Sequence, residues 1–520
     1  MQGVRKLSVL VTMTKNASAN LFRSGTGWLI VLFLPPLLVR VLDKPSYGTW
    51  MLLLQLGAYI TMLDGGIQTA VARFVARADH QQDHSYLPSF LSSVGVFMSL
   101  AAVLTLLLAV IAAWWFPYIF RDIPGSILSM AREALLVIGT SMAITLPFSV
   151  IAGFYMGHQR YEVSALAGSA GKFTGALGVA WAAYHHQGLL LMAVWVAVGN
   201  LVQCLTYAWF WRQGDRRALL HPSFAQRTLV REFVVFCSAM VVSQFSSILI
   251  TGMDMPIVAA FDFRTAAYYG IATTLSNILV VPFGAVVNTL IPVAAGASIV
   301  NDPLKLGEML YKATRFSTAL LCLIILPLVM LMPVLLRLWV GQDYATQSQS
   351  LALILIAAQF IRLTMLPYGI IGFAAGQQQK MLVSPLAEGV TNLLFSLVLV
   401  QLIGARGVAI GTLIGAAVAV VLHFTVSLPR TDCVDVSRRR LFLGGIVRPS
   451  VMALPLVCLV IAVPHISSIV LQVLLTLSAE FGLLVLFWIR IFDPAERKQL
   501  AHVIRHFVAI PMKISTAHEI

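Results

Sequence analysis

Charge is what this chain has least of: Asp, Glu, Lys and Arg make up 11% of its 520 residues, where soluble domains carry about a quarter. So few charges cannot cover the surface of an ordinary soluble domain of this size. Cysteine is sparse as well. Cys204, Cys237, Cys322, Cys433 and Cys458 show no CxxC spacing, so neither disulfides nor a thiolate metal site are expected. Signatures of catalysis are missing: there is no HExxH, no GxSxG and no long loop carrying paired acids. Gly168-Ser169-Ala170-Gly171-Lys172-Phe173-Thr174 only superficially suggests a phosphate loop, because the GxxxxGK spacing is absent and the segment lies inside an apolar run. His185 and His186 are adjacent and read as an interfacial turn rather than a metal pair. No enzyme activity, cofactor or metal is expected.

What the chain has in abundance is apolar sequence, at 59% of residues. A membrane-spanning helix needs about 20 mostly apolar residues, and such segments tile nearly the whole length. The pattern predicts an all-α polytopic membrane protein with about 14 transmembrane helices, at about 16–41, 46–72, 87–117, 133–157, 162–184, 188–211, 230–261, 266–297, 307–339, 346–374, 381–402, 405–428, 442–463 and 466–491. The formal charge of +14 would suggest nucleic acid in a soluble protein. Here its placement gives a simpler account, because basic residues collect in alternate connections. One side receives Arg5, Lys6 and Lys15, the linker bases Arg212 to Arg231, the run Arg438-Arg439-Arg440, and Arg490, Arg497 and Lys498; the other receives only Arg40, Lys44, Arg121, Arg132, Arg264, Arg337 and Arg406. Both termini are therefore expected in the cytoplasm, with the basic loops orienting the chain and touching lipid headgroups. The first apolar stretch lacks signal-peptide organisation and reads as a retained span.

Two stretches repeat. Leu146-Pro147-Phe148 followed by Gly157-His158-Gln159-Arg160-Tyr161 and Gly188 is echoed by Leu366-Pro367-Tyr368, Gly376-Gln377-Gln378-Gln379-Lys380 and Gly407. Both glycine pairs are separated by the same interval, and the two copies begin six helices apart. Corresponding helices then cross in the same direction, which predicts two parallel six-helix repeats. The expected organisation is a first bundle at 1–211, a basic cytoplasmic linker at 212–229, a second bundle at 230–428, an appended helix pair at 429–491 and an amphipathic cytoplasmic tail at 492–520. Ser164, Gly168, Gly171, Gly175 and Gly178 in the fifth helix, and Gly404, Gly407, Gly411 and Gly415 in the twelfth, form small-residue stripes. Such stripes suit tight helix packing, or a surface on which a helix slides during transport.

Charges inside spans are expensive, roughly 2.5–3.5 kcal/mol each at a helix centre on insertion scales, and normally face a bundle interior or a watery cavity. Arg23, Lys172 and Arg362 are the cations of this kind in the two bundles, and Asp64, Glu388 and Asp254 the anions. Two readings stand open. The charges pair internally, for example Arg362 with Glu388 or Arg23 with Asp64. Alternatively the cations line a cavity for phosphate or an acidic sugar, Lys172 foremost, while Asp64, Glu388 and Asp254 serve ion coupling or gating. Arg160 and Lys380 fall at cytoplasmic turns, as hinge or headgroup contacts.

Leu42-Asp43-Lys44-Pro45-Ser46-Tyr47-Gly48-Thr49-Trp50, then Leu63-Asp64-Gly65-Gly66-Ile67 and Ala72-Arg73-Phe74-Val75, together with Gly157-His158-Gln159-Arg160-Tyr161, resemble the corresponding elements of bacterial polysaccharide transporters. These are the O-antigen and exopolysaccharide flippases of the multidrug/oligosaccharidyl-lipid/polysaccharide exporter superfamily. The second half departs from the first, since Arg160-Tyr161 becomes Gln379-Lys380 and no Asp-Gly-Gly follows the eighth helix. The resemblance implies a MATE-like fold in the inner membrane. It also implies export of a polyprenyl-pyrophosphate-linked oligosaccharide by alternating access, with membrane lipids and polysaccharide assembly proteins as partners and no nucleic acid. Rival readings are a peptidoglycan lipid-precursor flippase, a multidrug or cation exporter of the same superfamily and, from another class, an integral-membrane glycan polymerase or ligase.

Overall fold

The computed structural model describes residues 22, 24–64, 66–81, 86–213, 224–299, 302–463, 466 and 468–498. Arg23, most of the 212–229 linker and the tail beyond 498 lie outside the described residues, as does the side chain of Asp64. Among the described residues the chain is built of helices, without strands. In order they are α1 (Ser24–Val41), α2 (Lys44–Asp64), α3 (Ile67–Gln81), α4 (Tyr86–Ile119), α5 (Gly125–Gly157), α6 (Tyr161–Tyr184) and α7 (Gly188–Gln213). Then come α8 (Arg227–Ser247), α9 (Asp254–Phe261), α10 (Phe263–Ile278), α11 (Val280–Val287), α12 (Leu290–Ile299), α13 (Pro303–Met330), α14 (Met332–Val340) and α15 (Gln342–Thr364). The last are α16 (Leu366–Ala374), α17 (Gln378–Met381), α18 (Val383–Ile403), α19 (Ala405–Leu422), α20 (Leu428–Arg430), α21 (Arg438–Arg440), α22 (Arg448–Ala462) and α23 (Ile469–Arg490). Three π-helical turns interrupt the run, at Ile248–Gly252, His423–Ser427 and Leu441–Val447.

Among the described residues eleven segments are long and apolar enough to cross a membrane, so the protein is a multi-pass membrane protein. The helices α2, α6 and α22 are not among them. In α6 the reason is composition, because Lys172 and a run of Gly and Ser dilute its apolar residues. Several spans expected to be continuous are broken. The 46–72 segment divides into α2 and α3. The 266–297 segment divides into α10, α11 and α12, and 346–374 into α15 and α16, where Pro367 sits in the first turn of the new helix and cannot donate a backbone hydrogen bond.

The described residues group into two compact units. One comprises the chain up to Val281 with Trp339–Gln359 and Leu382–Leu422; the other comprises Pro282–Leu338, Phe360–Met381 and the chain from His423 onward. The first unit has an aromatic core in which Phe74 and Phe90 stack at 4.9 Å and Phe233 closes edge-on against Phe90 at 6.0 Å. Lipid supplies no hydrophobic drive to join helices, so close approach depends on small side chains. A Cβ on Gly153 would lie 2.6 Å from Val71, and one on Gly157 2.7 Å from Val75, which is how α5 packs on α3. In α6, Gly171 faces the carbonyl of Gly199 on α7, and Gly178 faces the Trp195 ring. In the twelfth predicted helix, now α19, Gly411 and Gly415 lie against Ser396 and Asn392 of α18.

In the second unit the core is built by Cys322, Leu326 and Met330 of α13 with Leu483 and Phe487 of α23. Arg315 of α13 is 3% exposed and donates through Nη2 to both carboxylate oxygens of Glu496 at 2.7 Å. Phe316 stacks on Phe492 at 4.9 Å beside it. The first residues of the tail are thus held on α13 by a buried two-pronged ion pair. Arg448, one of the charges of the appended pair, donates to the Arg490 carbonyl at 2.6 Å.

Candidate functional site

Two polar centres lie in the first unit, one open and one closed. The open one is a cavity of about 570 Å³ among α1, α3, α6, α7 and α10. Lys172 lines it. Its helix α6 shows two faces: Ser164, Gly168 and Lys172, spaced four apart, border the cavity, while Gly171, Gly175 and Gly178 pack on α7. The small-residue stripe is therefore divided between a packing seam and a cavity wall, because steps of three and four drift around a helix of 3.6 residues per turn. Gly27 of α1 faces the lysine, whose Nζ lies 3.9 Å from where a Cβ at that position would sit, an ordinary contact distance. One residue before, Thr26 Oγ1 donates to Ser169 Oγ at 3.1 Å and fastens α1 to α6.

The rest of the lining is uncharged. Gln68, Gln203 and Asn277 contribute amides, Trp28 and Tyr207 aromatic rings, and Ser24 a hydroxyl. Lys172 is the one charge among the described lining residues. Ser164 is 3% exposed, and its hydroxyl has no hydrogen-bond partner among the described residues. A buried hydroxyl left in that condition costs free energy, and on this wall it suits a ligand that would bond it. The pattern of one cation, three amides and two rings matches a ligand that is anionic at one end and richly hydroxylated elsewhere.

The closed centre surrounds Asp254, which is 4% exposed. Tyr269 of α10 donates its hydroxyl to Asp254 Oδ2 at 3.1 Å, and Thr412 of α19 donates to the same oxygen at 2.9 Å. Asn392 of α18 donates its Nδ2 to Asp254 Oδ1 at 3.1 Å and to the Ile250 carbonyl at 2.7 Å. Ser396 donates to Asn392 Oδ1 at 2.9 Å. The π-helical turn Ile248–Gly252 stands just before Asp254, and its wider spacing leaves backbone carbonyls for other partners. Ile250 gives its carbonyl to Asn392, and Gly252 accepts from the Tyr59 hydroxyl at 2.7 Å.

The sequence reading named Lys172 and Asp254 but missed what surrounds them. For Asp254 a signal was present: Ser384, Glu388, Asn392 and Ser396 recur every fourth residue of α18, and all four are buried. A polar stripe inside an apolar span marks a face that must meet other polar groups. For the cavity no such signal exists, because its amides come from α3, α7 and α10, far apart in sequence. Arg362 is half-buried on α15 and belongs to the second unit. Arg160 follows α5, lies 3.6 Å from Glu162 and sits 5.2 Å over the Tyr155 ring. Lys380 pairs with Asp432, whose backbone N–H donates to Gln377.

Comparison with known proteins agrees with this architecture. The family model described as polysaccharide biosynthesis protein matches residues 13–297. Among curated proteins no sequence match is found. A structure of the lipid II flippase MurJ in an inward closed conformation superposes with a TM-score of 0.69 at 15% identity, covering 91% of this chain and 99% of that one. An inward-facing multidrug resistance MATE family transporter of the MOP superfamily gives 0.63 at 17%, covering 82% and 95%. A Vibrio cholerae MATE transporter gives 0.58 at 14%, covering 81% and 97%. The chain is thus a multi-pass membrane protein with a MurJ- and MATE-like fold, and it belongs to the polysaccharide biosynthesis protein family.

Proposed function

We propose that this protein is a flippase, not an enzyme, which exports a polyprenyl-pyrophosphate-linked oligosaccharide of the O-antigen or exopolysaccharide kind across the inner membrane by alternating access. The observation that carries this reading is the cavity on which Lys172 stands, among the described lining residues, as the one charge beside amides and aromatic rings. Lys172 meets the pyrophosphate, while Gln68, Gln203 and Asn277 bond sugar hydroxyls and Trp28 and Tyr207 stack on sugar faces. Among the described lining residues there is no carboxylate to meet a cationic drug, which supports the glycolipid over the cation-exporter reading. With the cell interior negative, an uncompensated anion moving outward gains roughly 2.3 kcal/mol per charge per 100 mV.

In this reading Asp254 binds the coupling cation. Three hydrogen-bond donors hold it as an acceptor, and a proton entering the site replaces one of them. Rotation of the Asn392 amide would instead gather the carboxylate, Asn392 Oδ1, Thr412 Oγ1 and the Ile250 carbonyl, an all-oxygen set suited to a hard cation. The bundles at 1–211 and 230–428 are the moving lobes, with both termini cytoplasmic. Arg362, Arg23, Asp64 and Glu388 remain proposed members of the substrate and ion paths, and Arg160 and Lys380 proposed headgroup contacts.

The test is export by the purified chain in liposomes loaded with a lipid-linked oligosaccharide, together with complementation of a deletion strain that accumulates the unflipped lipid. Ala at Lys172 and Arg362 is expected to stop export and leave folded protein in the membrane. Full complementation by that double variant would sink the proposal. Rescue of a peptidoglycan-precursor defect in place of a polysaccharide defect would move the reading to a cell-wall precursor flippase.

A further inference from the structure

A third polar feature of the first unit lies where α2 and α15 begin. Tyr47 and Trp50 are one turn apart on α2, and Tyr344 and Ser348 one turn apart on α15. All four are buried, at 0%, 1%, 6% and 0% exposure. The Tyr47 hydroxyl, Trp50 Nε1, the Tyr344 hydroxyl and Ser348 Oγ each lack a hydrogen-bond partner among the described residues. The Tyr47 and Tyr344 rings meet edge-on at 6.1 Å, and Tyr344 meets Tyr268 of α10 at 5.3 Å. Buried polar groups are nearly always satisfied, and orphans on the turns of α2 and α15 that carry the Tyr47–Tyr344 contact weigh against its closure. Parting the helices would open the Tyr47–Tyr344 contact to water.

At the mouth of the seam Lys44 Nζ lies 2.6 Å from Asp343 Oδ2. Tyr268 donates its hydroxyl to the same oxygen at 3.4 Å, and the lysine sits 5.5 Å over the Tyr268 ring. The next residue on α10, Tyr269, donates to Asp254. Helix α10 is also set tightly on α2: a Cβ on Gly48 would lie 3.2 Å from the Ala267 nitrogen, and one on Gly270 2.8 Å from Met51 Cγ. Two consecutive tyrosines on one rigid helix therefore touch the ion pair and the buried carboxylate.

We propose that Lys44 and Asp343 form the latch of a gate built from α2, α10 and α15, closed against four unsatisfied polar groups, and that Tyr268 and Tyr269 tie this latch to the occupancy of Asp254. The tie rests on the reading of Asp254 as the ion site; the latch does not. A cation at Asp254 competes with the Tyr269 hydrogen bond, and any shift of α10 that follows carries Tyr268 with it. Such coupling needs an element with two arrangements that both sites bias, and a seam short of hydrogen bonds supplies one.

The full-length protein in liposomes, with Ser348→Cys as reporter, tests this by the rate of modification with a membrane-impermeant maleimide, corrected for protein lacking the new cysteine. Lys44→Ala is expected to raise the rate a few-fold, and the exchange Lys44→Asp with Asp343→Lys to bring it back down. An unchanged rate in Lys44→Ala overturns the latch. Sodium or acid is expected to shift the rate in the otherwise wild-type chain, and Tyr269→Phe to abolish that shift while the Lys44→Ala effect persists. A Tyr269→Phe protein that still follows the cation overturns the tie and leaves the ion site standing. A wild-type rate that ignores sodium and pH overturns both the tie and the ion reading, with the latch judged by Lys44→Ala alone.

Discussion

Lys172 and Asp254 are charges on helices of the same unit of the same membrane protein, yet the fold treats them in opposite ways. Lys172 is exposed to a cavity of about 570 Å³ and borders neutral amides. Asp254 is 4% exposed and both of its oxygens accept from side chains on three other helices. An intramembrane charge has two stable outcomes, access to a polar cavity or full ligation by protein. The first leaves space for something large; the second leaves none.

Replacing each charge should therefore do different damage. Asp254→Ala strands the donors of Tyr269, Thr412 and Asn392, and is expected to cost roughly 3–5 kcal/mol, the range for removing one partner of a buried charged network; thermal unfolding in detergent measures it. Asp254→Asn keeps the shape, and is expected to leave a folded protein whose export no longer responds to pH or sodium. Lys172→Ala should leave the melting temperature unchanged and lower export at least tenfold, about 1.4 kcal/mol of substrate or transition-state interaction. Lys172→Arg should keep most of the activity, and an equal loss in both variants would make the site steric rather than electrostatic.

Smaller effects separate the two faces of α6. Gly171→Val drives a branched side chain into the Gly199 carbonyl and is expected to destabilise by about 1–3 kcal/mol, as overpacking does, without altering substrate preference in liposomes. Ser164→Ala, two turns from Lys172 along the cavity face, removes an unsatisfied hydroxyl and should change stability by no more than about 0.5 kcal/mol. Its expected signature is a modest rise in the substrate concentration needed for half-maximal export. Destabilisation by Ser164→Ala would place the hydroxyl in the packing and take it out of the substrate wall.

The repeat shows how far sequence reading reaches. Leu146-Pro147 and Leu366-Pro367 look equivalent, yet Pro147 lies inside the continuous α5 whereas Pro367 opens α16 after a break at Met365. Gly157 and Gly376 align by spacing but differ in role. Gly157 is small because Val75 is close, and the left-handed residue of its turn is Gln159 at φ 58°. Gly376 itself takes the left-handed conformation, at φ 73°, and nothing lies within 4 Å of where its Cβ would be. Both turns end alike, with Arg160 N–H donating to the Tyr155 carbonyl and Gln377 N–H to that of Gly372. The same turn is thus drawn two residues out of step with the matching letters. Identical spacing marked the unit, while neighbouring helices decided what each glycine does.

By itself the sequence determined the membrane class, the helical build, the family and the small set of charges worth following, because hydropathy and composition act locally and survive without knowledge of neighbours. It could also mark Ser384, Glu388, Asn392 and Ser396 as one face of α18. Only the tertiary structure decided that this face meets Asp254, that Lys172 lines a cavity, and that Gln68, Gln203 and Asn277 share its wall. Helical periodicity says which residues look the same way along one helix. What they look at depends on packing between helices distant in the chain, and no local pattern records that.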